Sequence, residues 1–180
     1  MPRSAAARPV SLSGLKAPVV VGLGEAHALK AEPGVDAALV AYGLGSCVAL
    51  CLWDAQARVA GMAHIVVPGE DPNGAPNPRF ARSALPALVS VMRAYGSRGE
   101  SRRLIARLVG GAQVLPMIDR NAFAPVGDAN SLALREALAD AGVTIHAQDL
   151  GGGYGRSVWF DPRDGGQVRV RAIGSDDRYL

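Results

Sequence analysis

Gly43-Leu44-Gly45-Ser46-Cys47-Val48-Ala49-Leu50-Cys51-Leu52-Trp53-Asp54, then Ala55-Gln56-Ala57-Arg58, then Val59-Ala60-Gly61-Met62-Ala63-His64-Ile65-Val66-Val67-Pro68: this stretch decides the fold. Two apolar runs joined by a few polar residues read as a β-hairpin. A four-residue loop over Asp54–Ala57 pairs Trp53 with Arg58 and sets Cys47 directly opposite His64. Paired positions hold their Cβ atoms about 4.5–5.5 Å apart, a spacing that suits a thiol and an imidazole sharing a proton. Register matters here, because a slip of one residue carries His64 to the other face. Val48–Trp53 is apolar at nearly every position, without alternation. Such a strand is covered on both faces, which requires at least three layers.

Outward from the hairpin, the chain alternates strand and helix signals. Upstream, Pro18–Gly24 reads as a first strand, Glu32-Pro33-Gly34 as a turn, and Val35–Tyr42 as a second strand feeding the glycines before Cys47. Downstream, Gly69–Pro78 is rich in turn formers and reads as a loop bordering the histidine strand. Helical periodicity runs from about Arg79 to Tyr95 through Phe80, Ala84, Leu85, Leu88 and Met92. Pro86 either kinks that helix or marks its start, with Ser83 near the cap. Leu104–Val109 is a strand ending at Gly110-Gly111, and a second helix over about Asn130–Ala141 stops at Gly142. Val143–Leu150 is a strand, Gly151-Gly152-Gly153 a break, and Arg156–Asp161 with Gln167–Ile173 a closing hairpin. The fold class is therefore α/β: a single-domain layered sandwich of mixed β-sheets with two main helices. The expected organisation is an N-terminal tail over 1–17, one domain over 18–174, and a C-terminal tail over 175–180.

Composition bounds the function. A chain of 180 residues, 49% hydrophobic, buries a sizeable core. No apolar run reaches the roughly 18–20 residues of a membrane span, and the N-terminus lacks a secretory apolar core, so a cytoplasmic location is expected. The formal charge of +3 is mild, aromatic residues are few, and no basic stripe alternates with them, which argues against nucleic acid as a ligand. Arg98, Arg102 and Arg103 read as a solvated loop. On an extended strand Cys47 and Cys51 lie about 13 Å apart, too far for a disulfide or for one tetrahedral metal ion. No metal and no cofactor is expected, and Cys51 reads as a small buried hydrophobe.

The chemistry concentrates at Cys47. Gly22-Leu23-Gly24 and Gly43-Leu44-Gly45 do not complete a dinucleotide fingerprint, and no G-K-[ST] is present. The glycines of Gly45-Ser46-Cys47 permit a strained turn that exposes the next side chain, with N–H groups around Ser46 and Cys47 able to meet an oxyanion. A buried cysteine after an ordinary glycine turn is the plain alternative. His64 on the paired strand favours a Cys–His nucleophile couple. His27 and His146 read as surface or satisfied histidines.

Several stretches together resemble the CheD chemoreceptor glutamine deamidases of bacterial chemotaxis. They are Gly22-Leu23-Gly24-Glu25, Pro33-Gly34-Val35, Gly43–Ala49, Gly61-Met62-Ala63-His64 through Pro68, Gly110-Gly111-Ala112, and Asp149–Arg156. The resemblance implies hydrolysis of receptor glutamine side chains to glutamate, with receptor methylesterase activity in some members. It implies Cys47 as nucleophile, His64 as base, a CheC-type phosphatase as partner, and a fold like the catalytic domain of the cytotoxic necrotizing factor toxins. Ala41 stands where the family usually has a threonine completing a triad; its backbone carbonyl is able to accept the His64 Nδ1 proton, and a role for the missing hydroxyl itself would leave the protein slow or inactive. Val126-Gly127-Asp128-Ala129-Asn130 looks like the family's I-G-x-R-N with Ala129 at the usual basic position. Gly152, Tyr154 and Arg156, with the 69–78 loop, are the expected substrate-binding surface, and Ser46 a supporting residue. The alternatives are a catalytically weak or inactive adaptor that keeps the fold, which Ala41 favours, and a general cysteine amidase or thiol hydrolase acting on small molecules.

Overall fold

The structure, a computed structural model, describes residues 18–34, 36–114, 125–172 and 174–180. The expected tail over 1–17, the start of the expected second strand at residue 35 and the end of the closing hairpin at residue 173 lie outside them. The elements run β1 (Val19–Val20), β2 (Ala26–Lys30), β3 (Leu39–Leu44), β4 (Val48–Asp54), β5 (Val59–Ile65), α1 (Ala84–Arg93), β6 (Leu104–Gly110), α2 (Val126–Asp140), β7 (Thr144–Leu150), β8 (Arg156–Phe160), β9 (Val168–Ala172) and β10 (Arg178–Tyr179). They form two mixed five-stranded sheets, β2-β5-β4-β6-β7 and β1-β3-β8-β9-β10.

The apolar runs of β4 and β5 explain the layering. Every residue of both strands is buried. Val48, Leu50, Leu52, Ala63 and Ile65 pack under Leu85, Leu88 and Met92 of α1 and Leu134 and Leu138 of α2. The opposite face, with Ala49, Cys51, Trp53, Ala60 and Met62, packs against Leu39, Ala41, Val158, Phe160 and Val170 of the second sheet. Helices, sheet and sheet make the expected three layers, and the hairpin sits in the middle one.

The helices come close to expectation. α1 begins at Ala84 after Ser83, so Pro86 falls in its first turn and causes no kink. α2 starts a turn earlier than the periodicity indicated, at Val126 after Pro125. Two strands were not expected. Ala26–Lys30 pairs antiparallel with β5, although its alanines and histidine give a weak strand signal. Arg178–Tyr179, placed by the sequence in a tail, pairs with β9. Arg98, Arg102 and Arg103 gather around Glu100 in ion pairs.

The hairpin register differs from expectation by two residues. Asp54 pairs with Val59 and Ala49 with His64, so the loop is Ala55–Arg58 rather than Asp54–Ala57. The cause is local. The Asp54 carboxylate accepts the N–H groups of Gln56 (3.1 Å) and Ala57 (3.0 Å), and Arg58 takes a positive φ of 55° to close the turn. Asp54 thus ends the strand instead of opening the loop. A shift of two residues preserves the face of every side chain.

Candidate functional site

Cys47 follows the bend at Gly45-Ser46 that joins the two sheets, since β3 belongs to one sheet and β4 to the other. Its side chain is half-buried and packs on the inter-sheet cluster with Ala49 and Cys51. His64 lies opposite Ala49, and Cys47, two residues before Ala49 and just outside the ladder, packs on the cluster that Ala49 enters, so strand alternation puts the two on one face in a diagonal relation rather than as the direct pair expected. Diagonal positions are about 7–8 Å apart at the backbone, within reach of long side chains.

Three sets of contacts hold the bend. Gly111 N–H donates to the Cys47 carbonyl at 2.8 Å, and Ala112 N–H donates to the Gly45 carbonyl at 2.7 Å. The Asn130 side-chain amide donates to the Ser46 carbonyl at 2.9 Å and to the Val66 carbonyl at 3.0 Å. The histidine strand is held by Gly24 N–H on the His64 carbonyl (2.9 Å) and by His64 N–H on the Glu25 carbonyl (3.0 Å).

His64 is 4% exposed. Its Nδ1 lies 3.1 Å from the Val21 carbonyl oxygen, and its Nε2 has no hydrogen-bond partner among the described residues. A carbonyl only accepts, so Nδ1 carries the proton and Nε2 keeps a free lone pair. The orienting acceptor is therefore Val21 and not the Ala41 carbonyl. Ala41 is fully buried in β3, where it pairs with Val158. Val21 adjoins it, donating its own N–H to Val40 at 2.8 Å.

Electrostatics leave both groups neutral at rest. Burial pushes the Cys47 thiol above its usual value, with exposed Arg79 pulling weakly the other way. Burial lowers His64 below the usual imidazole value, opposed by the Val21 carbonyl and by the Glu25 carboxylate. Glu25 itself is held below its usual range by the Gly22 N–H and by His27. Cys51 is driven up to about 12 by full burial, which removes it as a competing nucleophile.

The glycine segment expected to bind substrate divides in two. Arg156 is 3% exposed and spends its donors internally, on Asp149 (2.9 Å), the Gly151 carbonyl (2.8 Å) and the Tyr154 carbonyl (3.2 Å). It is a buried brace, which corrects its expected place on the binding surface. Tyr154 stacks over that guanidinium at 4.4 Å and is 45% exposed. Gly152 accepts the Gln113 N–H at 2.8 Å, which sets the turn beside Gln113 and hence close to the bend. A cavity of about 620 Å³ lies nearby against Gly43, Gly155, Arg156, Arg171 and Asp177, and neither Cys47 nor His64 lines it.

Sequence reasoning missed Val21, which acts through its backbone and so leaves no side-chain signal, and the bridging use of Asn130, a residue already visible in the V-G-D-A-N segment.

Comparison with known proteins gives the family. A family described as CheD chemotactic sensory transduction matches residues 67–172. A Caldanaerobacter subterraneus protein named probable chemoreceptor glutamine deamidase CheD is 35% identical over 162 residues, 89% of this chain and 96% of the relative. A Geobacter metallireducens relative named probable chemoreceptor glutamine deamidase CheD 2 is 37% identical over 90% of this chain and 98% of its own length. A Symbiobacterium thermophilum relative with the first of these names is 38% identical over 89% of this chain and 95% of its own. The chain belongs to the CheD family.

Proposed function

We propose that this protein hydrolyses glutamine side chains of chemoreceptors to glutamate, with Cys47 as nucleophile and His64 as base. The observation that carries the reading is the state of His64: Nδ1 fixed by the Val21 carbonyl, Nε2 without a partner among the described residues, on the face of the sheet where Cys47 packs. The names of its relatives supply the substrate class.

The chemistry proceeds in two halves. His64 Nε2 takes the thiol proton as Cys47 Sγ bonds to the δ-carbon of a glutamine. The N–H groups of Ser46 and Cys47, which donate no backbone hydrogen bond among the described residues, meet the oxyanion. Such a donor contributes about 2.7–4 kcal/mol in a comparable protease. Protonated His64 then gives its proton to the departing amine, releasing ammonia and leaving a thioester. Neutral His64 next takes a proton from water, hydroxide adds to the thioester, and the thiol leaves with that proton. Receptor methyl esters would react by the same route with methanol as leaving group.

Tyr154 and Gly152 form the substrate edge beside the bend. The receptor site is cytoplasmic, a CheC-type phosphatase is the second partner, and the layered sandwich is the counterpart of the cytotoxic necrotizing factor catalytic fold. No helix among the described residues is long and apolar enough to cross a membrane.

The test is incubation with a purified receptor cytoplasmic domain, followed by peptide mass spectrometry. Conversion of glutamine to glutamate by the wild type and its loss in Cys47→Ala are expected. Binding without conversion would replace the enzyme by an adaptor, and turnover confined to small amides would replace the substrate.

A further inference from the structure

We propose that Asn130 is a positioning residue that holds the Cys47 bend against the strand carrying His64. The proposal rests on the reading of those two residues as nucleophile and base.

The β4–β5 ladder ends at the pair Val48–Ile65. Beyond it the backbone partners change: the Cys47 carbonyl takes the Gly111 N–H, and the Val66 and Val67 N–H groups go to the Arg79 carbonyl, so no backbone rung joins the Ser46 and Val66 segments among the described residues. One buried amide nitrogen joins them: Asn130 Nδ2 donates to Ser46 O at 2.9 Å and to Val66 O at 3.0 Å. A primary amide carries two N–H bonds, so one side chain supplies a rung where the backbone no longer can. Ser46 immediately precedes Cys47, and Val66 lies two residues past His64. The rung therefore fixes the bend relative to the imidazole strand at the end where the two must meet.

Asn130 is fully buried, and its Oδ1 has no partner among the described residues. Burying an unpaired amide oxygen is costly, so the residue is a poor choice for stability alone and is used for its two donors. Its own placement is firm. Gly127 in the first turn of α2 packs so closely that an added Cβ would stand 2.4 Å from the Gly111 carbonyl oxygen, and Ser131 Oγ donates to the Gly127 carbonyl at 2.8 Å. Gly111 in turn donates to Cys47. Helix, rung and bend form one block.

The test is a double-mutant cycle read without receptor, using the rate of Cys47 alkylation by iodoacetamide against pH. Asn130→Ala and Asn130→Asp, the second keeping the shape while removing the donors, are each combined with His64→Ala. With His64 present, loss of the rung slows neutral-pH alkylation about tenfold; in the His64→Ala background it has little effect, because the two residues act through one geometry. Equal slowing in both backgrounds overturns the proposal, since that is what a merely structural residue does. If His64→Ala itself leaves the wild-type profile unchanged, the nucleophile–base reading fails first, and the positioning proposal fails with it. Should both Asn130 variants unfold, the Asn130 side-chain amide resonances of the wild type decide: they shift when Cys47 is alkylated, and resonances that stay fixed refute the rung.

Discussion

His64 Nδ1 donates to the carbonyl oxygen of Val21, 3.1 Å away, and the two residues belong to opposite layers of the sandwich. Val21 continues β1 alongside β3, with its N–H on Val40, whereas His64 sits in β5. The contact ties the base of the reaction to the second sheet and sets its tautomer. Because the acceptor is main chain, no hydroxyl at position 41 is required for it.

Ala41→Thr tests that directly. With Nδ1 already satisfied, a threonine at 41 gains no catalytic hydrogen bond and places a hydroxyl in a fully buried position. Such a group costs about 1–3 kcal/mol unless it finds a partner. The expected outcome is a lower melting temperature with receptor deamidation within about twofold of wild type, a margin of about 0.4 kcal/mol in the barrier. A gain of tenfold or more would return the orienting role to the side chain at 41.

The pH dependence has a definite sign. Burial lowers His64 below the ordinary 6.5, so its neutral form persists to more acid pH than that of a free histidine. Burial raises Cys47 above the ordinary 9.0, so a free thiolate appears only at more alkaline pH. Between these limits the reactive form arises by proton transfer within the pair, whose fraction does not change with pH. Cys47 alkylation should therefore show a plateau with an acid limb below 6.5 and an alkaline rise above 9.0, whereas deamidation kcat/KM should share the acid limb and fall above 9.0, where neutral His64 beside a free thiolate holds no proton for the departing amine. His64→Ala should abolish the plateau and leave the alkaline rise. A single limb near the ordinary thiol value in the wild type would mean that the two residues do not exchange a proton.

The sequence carried much of this arrangement, and the reasons for its gaps are physical. Unbroken apolarity of Val48–Trp53 announces burial on both faces, and the structure has helices on one side and a sheet on the other. Face is a parity, so Cys47 and His64 could be put together without the correct register. Register itself depends on how a turn is capped, and the Asp54 carboxylate moved it by two residues through hydrogen bonds that spacing does not reveal. Ala26–Lys30 stayed hidden because two alanines and a lysine are weak strand formers. Arg156 reads with its glycine segment as part of the binding surface because its internal partners, Asp149 and the Gly151 and Tyr154 carbonyls, leave no mark in the sequence.

Gly110→Ala should damage the site more than a comparable substitution elsewhere. Gly110 has φ +120°, and an added Cβ would lie 2.2 Å from the Cys47 carbonyl oxygen, a backbone atom that cannot swing aside. Strain of about 1–3 kcal/mol is expected, with the Cys47 segment displaced and the alkylation plateau lost. Gly61→Ala is the control. Its Cβ would meet Met92 Sδ at 2.6 Å and Leu88 on the helix face, so stability falls by about 2–4 °C in melting temperature per kcal/mol while the plateau remains. Equal effects on the plateau would show that the bend is not specially sensitive to its own carbonyl.

Asp149 closes the sandwich at its other edge, and the last prediction separates bracing from binding there. Its carboxylate in β7 meets Arg156 of β8 at 2.9 Å and also pairs with Arg178 of β10, joining one sheet to the other. Only 2% of the Arg156 side chain is accessible, so removing its partner leaves a buried guanidinium uncompensated, at a cost of about 3–5 kcal/mol. Asp149→Asn should therefore lower the melting temperature sharply, and below that temperature should leave KM for the receptor domain unchanged. Tyr154→Ala removes a ring that is 45% exposed and meets the fold through its stacking on Arg156, so it should raise KM while lowering the melting temperature less than Asp149→Asn does. Were Arg156→Lys to raise KM while the melting temperature held, the guanidinium would have to reach the substrate, and the division of this segment into a brace and an edge would be wrong.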